Sequence, residues 1–110
     1  MAKITEATFS GRTGRYGFEV YPIGMVFNAV GGIYIFTKRT VDLAGKGSHE
    51  FLYIGETGSL ADRIPEHEKL SSVTRRGANC ICVHRDDNAR SRLDKESDLR
   101  VANPTPCNAQ

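Results

Sequence analysis

The 110-residue chain predicts an α+β fold, a small antiparallel sheet with two or three helices packed on it. Three observations lead there. Short runs alternate apolar with polar or paired-face residues at a period of two, as strands do. Glycine-rich breaks separate those runs in the first half. The second half holds two longer stretches with helix-start residues in front of them and, after the second, prolines that stop it. The length suits one domain, and nothing in the chain repeats or reads as a linker.

Ala7-Thr8-Phe9-Ser10 and Arg15 to Tyr21 flank Gly11-Arg12-Thr13-Gly14, which predicts a β-hairpin whose glycines take positive φ in a tight turn. In the second arm Tyr16, Phe18 and Val20 alternate with Gly17, Glu19 and Tyr21, so one face can be buried. Pro22 and Gly24 end it. Gly32 to Thr37 predicts a third strand, with Ile33 and Ile35 on one face and Tyr34 and Phe36 on the other. Lys38 to Glu50, with Gly45, Gly47 and Ser48, predicts a polar loop, and Phe51 to Gly55 the returning strand.

Ser59 stands at an N-cap position for a helix from Leu60 to Leu70, although Pro65 inside it would kink or shorten that helix. Ala78 to His84 predicts another strand, with Cys80, Cys82 and His84 on one face and Ile81 and Val83 on the other. Asp86 or Asp87 then caps a helix running to about Val101, and Pro104 and Pro106 forbid its continuation.

Composition bounds the function classes. An apolar share of 39% and a charged share of 25% are ordinary for a globular protein. No apolar run is long enough to span a bilayer, and the N-terminus lacks the apolar stretch of a signal peptide. Three cysteines leave at least one thiol unpaired in a monomer, which favours a reducing compartment; the expected location is the cytoplasm. A net charge of +2 permits nucleic-acid binding without announcing it. Arg75 and Arg76 form one basic cluster, and Arg85, Arg90, Arg92, Lys95 and Arg100 another interleaved with acids, which reads equally as a solvated mixed-charge surface or a phosphate-tracking stripe.

Two near-mirror tripeptides carry most of the functional signal. Gly32-Ile33-Tyr34 opens one strand and Tyr53-Ile54-Gly55 closes the next; Arg63 and His67 follow four apart, then Glu96 in the last helix, and Pro106 and Asn108. In this order, from about residue 30 onward, the set resembles the GIY-YIG nuclease domain. Residues 1–29 would be an N-terminal hairpin extension and residues 30–110 the GIY-YIG-like core. The resemblance implies an endonuclease that hydrolyses DNA phosphodiester bonds with one divalent metal, Mg²⁺ or Mn²⁺, with RNA also open as a substrate. The long segment between the tripeptides departs from the short hairpin usual in that family, and the expected cutting has low sequence specificity.

Phosphodiester hydrolysis needs an activated water, neutralised phosphoryl charge and a stabilised leaving alkoxide. Glu96 is the candidate metal ligand, since Mg²⁺ is often held by one or two carboxylates beside a phosphate; its bland alternative is a surface pair with Arg92 or Arg100. Arg63 offers a planar, permanently charged fork for the scissile phosphate, against the alternative of pairing with Asp62 or Glu66. His67 would share its helix face with Arg63, and the resemblance implies that it lies near the site and takes a proton. It also implies that Tyr34 orients or deprotonates the water and that Tyr53 supports the phosphate or proton path. A phenol is a poor base near neutrality unless a cation lowers its pKa. Gly32 and Gly55 would serve close strand approach and a turn, and Asn108 would tie the C-terminal tail to the site.

Candidate nucleic-acid contacts are Lys38, Arg39, Lys46, Arg75 and Arg76, with His49 in the same stretch as the first three. Cys80, Cys82, His84 and Cys107 have ligand types that suit zinc, against the ordinary role of buried thiols as small hydrophobes. Two other classes compete with the enzyme: a non-catalytic nucleic-acid-binding module with the same fold, and a protein-interaction domain. One site cuts one strand, so double-strand cleavage would call for a homodimer or two separate nicks.

Overall fold

The computed structural model describes residues 3–108. Its elements are β1 (Thr5–Ser10), β2 (Arg15–Pro22), β3 (Gly32–Val41), β4 (Gly47–Thr57), α1 (Leu60–Arg63), α2 (Leu70–Arg75), β5 (Cys80–Arg85) and α3 (Ala89–Ala102). The strands form one antiparallel sheet in the order β1-β2-β5-β3-β4. The α+β architecture is therefore the one the sequence predicts, and the N-terminal hairpin joins the sheet through β2 and β5.

Period-two alternation gives the sheet two buried faces. Ile33, Ile35, Ile54, Phe18, Val20, Cys80 and Cys82 fill the side covered by α3. Tyr34, Phe36, Leu52, Ile81, Val83 and Cys107 fill the other, where Leu60, Ile64 and Val73 from the α1–α2 region close over them. Burial of a side chain such as Ile33 or Ile35 is worth about 1.5–3 kcal/mol, so β3, lined on both faces, carries much of the core.

Helix α3 is docked largely by polar groups; of its apolar side chains, Leu99 is the one that enters the core. Asp98 accepts from Thr13 N, Thr13 Oγ1, Gly14 N and the Tyr16 hydroxyl, which wraps the first hairpin loop around the helix. The glycines of that loop do not take positive φ, contrary to expectation; Gly24, Gly45 and Gly77 do. Gly11 is needed for space, because a Cβ there would lie 2.2 Å from the Asp98 carboxylate. At its N-terminus α3 is capped by Asn88, which accepts from Ser91 N at 2.8 Å, and not by Asp86 or Asp87. Those two are occupied elsewhere: Asp86 accepts from Asn88 N and Ser91 Oγ, and Asp87 from Gly31 N.

Two other expectations are corrected. The segment 38–50 is mostly strand, since β3 and β4 continue to a five-residue connection over residues 42–46. There Asp42 Oδ1 accepts from Ala44 N and Lys46 N, and Gly45 supplies the positive φ that the turn requires. The helix expected over Leu60 to Leu70 is cut to Leu60–Arg63, because a proline ring at position 65 cannot continue it, and a second short helix begins only at Leu70. Ser59 does occupy the N-cap position of α1, but its hydroxyl makes no cap bond.

Strand β4 carries a bulge that decides where Tyr53 points. Phe36 pairs with Tyr53 and Thr37 with Phe51, which leaves Leu52 as the extra residue. Simple alternation from Phe51 would send Tyr53 to the α3 side; the bulge returns it to the Tyr34 side. The C-terminal tail fastens this irregular edge. Cys107 N donates to Leu52 O, and the Asn108 side chain both accepts from Ile54 N at 2.8 Å and donates to Ile54 O at 2.9 Å.

Candidate active site

The site is built on the β3–β4 pair at the α1–α2 face. Tyr34, on β3, and Tyr53, on β4, lie with ring centroids 6.2 Å apart and planes 28° from parallel. Gly55, cross-strand from Tyr34, makes this arrangement possible: a Cβ on Gly55 would sit 2.6 Å from the Tyr34 phenol. Its role is therefore room for a ring in mid-strand and not a turn. Gly32 serves close approach, since a Cβ there would meet the His84 carbonyl oxygen at 2.8 Å.

His67 reaches the same place from the segment between α1 and α2, where it is 4% exposed. It does so without the helical four-residue spacing to Arg63, since α1 ends at Arg63. Its ring edge packs on both tyrosines, 5.4 Å from Tyr34 and 4.8 Å from Tyr53 between centroids. The bonding fixes its tautomer. Lys69 N–H donates to Nδ1 at 3.0 Å, so the neutral ring carries its proton on Nε2, which donates to the Tyr34 oxygen at 2.7 Å. Burial first, and the Arg63 charge second, lower the His67 pKa to about 4, so the ring is neutral at pH 7. Both ring nitrogens are committed. In this arrangement His67 gives a hydrogen bond to Tyr34 and takes none from it.

Burial raises the Tyr34 pKa well above that of a free phenol, and the neighbouring Tyr53 adds to the rise, while Arg63 opposes it. Tyr53 is raised too, chiefly by burial. Arg63 is held by a carboxylate that the sequence reading did not single out. Glu68 Oε1 and Oε2 accept from Arg63 Nη1 and Nη2 at 2.6 and 3.0 Å, in place of the expected Asp62 or Glu66. The pair raises the Arg63 pKa and lowers that of Glu68 to about 2, the bond to Arg63 being the largest cause. Five positions in a helix point to opposite faces, so only the break at Pro65 lets residues 63 and 68 meet.

Glu96 lies on α3, on the other side of the sheet from Tyr34, and its charge adds to the rise in the Tyr53 pKa. Its carboxylate is half-buried, and burial followed by repulsion from Glu56 raises its pKa against the opposing pull of Arg100. Neither arginine considered as a surface partner forms an ion pair with it. Arg92 instead donates to Glu56 at 2.9 Å and to Asp86 O at 3.2 Å. Among the described residues no cluster of three or more His, Cys, Asp or Glu could hold a metal, and Glu56 is the carboxylate whose charge acts on Glu96.

The zinc set is dismantled by the fold. Cys80 and Cys82 lie in the core on the α3 side and Cys107 in the core on the opposite side, all three unpaired and buried. His84 is engaged by Gly17 O and Lys95 Nζ. Burial pushes the Cys82 thiol up to about 12, which leaves it a small hydrophobe.

The basic residues divide. Lys38 follows Tyr34 and Phe36 on the same face, and its stem lies against Gly77 just beyond Arg75 and Arg76, which are exposed at the end of α2. Lys46 is exposed in the β3–β4 turn. Arg39 faces the other way, against Gly47, with its backbone held by Asn79 and its charge acting on His49 and the core cysteines. In the second cluster Arg92, Lys95 and Arg90 are paired with Glu56, Asp86 and Asp94, which neutralises three of its five cations.

No protein-family model matches the chain, and no curated protein and no solved structure matches it either. No helix among the described residues is long and apolar enough to cross a membrane.

Proposed function

We propose that this protein is a metal-dependent endonuclease of the GIY-YIG type that hydrolyses DNA phosphodiesters with low sequence specificity. The observation that carries the reading is the convergence at one buried phenol. The Tyr34 oxygen receives the His67 Nε2–H at 2.7 Å and feels the Arg63 cation, and its ring lies 6.2 Å from that of Tyr53 between centroids. Tyr34 is the residue for the proton of the attacking water. His67 donates to its oxygen, and the positive charge of Arg63 lies nearby; both lower the cost of a phenolate that burial alone would forbid. Arg63 takes the phosphate in its planar fork and balances the charge that builds on the phosphoryl oxygens. Tyr53, half-buried at the rim, closes the other side and offers its hydroxyl to the phosphate.

Glu96 fits the role of metal ligand, because its half-buried carboxylate has no ion-pair or hydrogen-bond partner among the described residues and sits in a field that burial has made unfavourable for bare charge. Bound there, Mg²⁺ or Mn²⁺ would supply Lewis acidity and stabilise the leaving oxygen. Lys38, Arg75 and Arg76 give the DNA backbone a basic track on the Tyr34 side, with Lys46 at the hairpin tip. Three free, buried thiols support a reducing, cytoplasmic setting.

The test is nicking of supercoiled plasmid by the purified protein with Mg²⁺ or Mn²⁺, beside Glu96→Ala. Metal-dependent nicking lost in the variant is expected. Wild type that leaves plasmid and branched DNA intact across metals would favour a binding module that keeps the fold without turnover.

A further inference from the structure

The Arg63–Glu68 pair bears on how the site takes its substrate, an inference that rests on the reading of Arg63 as the phosphate clamp. We propose that Glu68 sets the affinity of this site for a phosphodiester, because its carboxylate holds, in the free protein, the guanidinium fork that a phosphate takes on binding. The geometry is that of a substrate mimic. Two carboxylate oxygens face two guanidinium nitrogens in parallel at 2.6 and 3.0 Å, the fork-to-fork contact that a phosphate makes with arginine. A carboxylate and a phosphodiester each carry one negative charge, so exchange of one for the other leaves the charge around Arg63 unchanged.

The two partners are unequally anchored. The Arg63 side chain is 34% exposed and lies beside Tyr34, whereas that of Glu68 is 60% exposed. Glu68 is the one that can swing into solvent. A ligand that must wait for an occupied site binds with an affinity reduced by the fraction of molecules in which that site is free. The displaced carboxylate also leaves a region where its charge raises the pKa of both Tyr34 and Tyr53. The entering phosphate brings the same single charge, so the exchange leaves the field on the two phenols unchanged.

The experiment measures binding of a short fluorescein-labelled DNA duplex in EDTA at low ionic strength, by anisotropy, for wild type, Glu68→Gln, Glu66→Gln and the double variant Arg63→Gln/Glu68→Gln. Glu66 is an exposed neighbour whose neutralisation makes the same change in net charge. Glu68→Gln is expected to bind about fivefold tighter than wild type, the scale of an exposed ion pair, with less gain in Glu66→Gln and none in the double variant. In plasmid nicking the same substitution should lower KM with little change in kcat. Equal affinities for Glu68→Gln and Glu66→Gln, a gain that survives the loss of Arg63, or no measurable binding by any variant would each overturn the proposal. Nicking by wild type is read separately, so an active enzyme whose affinity ignores Glu68 sinks this inference alone. An inactive protein whose Glu68→Gln variant still binds tighter through Arg63 sinks only the nuclease reading.

Discussion

Lowering the pH should destabilise this protein through His67. The ring is neutral in the folded state with a pKa of about 4, against an ordinary value of 6.5. Between those values the unfolded chain binds a proton that the folded chain refuses, so stability rises with pH and is lost as pH falls through this window. The linkage relation gives a loss of about 1 kcal/mol between pH 7.5 and 5.5, and about 2–3 kcal/mol by pH 4.5. The upper part of the window is the cleaner one, because the lowered carboxylates Glu68 and Asp98 change their contribution mainly at lower pH. His49 is also lowered by burial, so the comparison must be with a variant. His67→Gln keeps a side-chain donor for Tyr34 and removes the titration. Urea unfolding of both proteins at pH 7.5 and 5.5 should show the wild type losing about 1 kcal/mol more than the variant. His67 proton resonances followed against pH give the pKa directly. Parallel losses in the two proteins, or a ring that titrates near 6.5, would refute the argument that burial and Arg63 hold it neutral.

Other substitutions separate chemistry from architecture. Tyr34→Phe should reduce plasmid nicking by about 10²-fold or more, the scale of a lost acid–base group. The same change should cost about 1–2 kcal/mol in urea unfolding, since His67 Nε2–H loses its acceptor. Asn108→Ala should cost about 1–2 kcal/mol and speed hydrogen exchange at the Ile54 amide, which would distinguish a pinned edge from general destabilisation. Combined replacement of Lys38, Arg75 and Arg76 by Ala should reduce the slope of log affinity for DNA against log salt by about 2 to 3, with an unchanged slope arguing that DNA passes elsewhere.

Much of the fold was legible because period-two alternation is strong in β2, β3 and β5, and each run reports its two faces directly. The 38–50 segment was not, since Lys38 to Val41 and Ser48 to Glu50 are polar or exposed and lie beyond the core that gives strands their pattern. The helix break at Pro65 was visible as a hazard, but its outcome was not: the extra turn of chain brings Glu68, not Glu66, to Arg63. The bulge at Leu52 has no local signature, because Phe51, Leu52 and Tyr53 are three apolar or aromatic residues in succession. Only the pairing with Phe36 and Thr37 shows which two share a face. The candidate tyrosines could be named from their tripeptides; that Tyr53 points toward Tyr34 depends on pairing that lies outside both.

The fastening of β4 by Cys107 and Asn108 also bears on synthesis. The edge that presents Tyr53 is completed by residues made some fifty positions later, so a nascent chain that has not reached Asn108 exposes bare strand amides and carbonyls. Such a chain is both unfinished at the Tyr53 edge and open to pairing with another chain. A chain cut before Cys107 would therefore be prone to aggregate, and the arrival of Cys107 and Asn108 acts as a checkpoint on the strand they fasten.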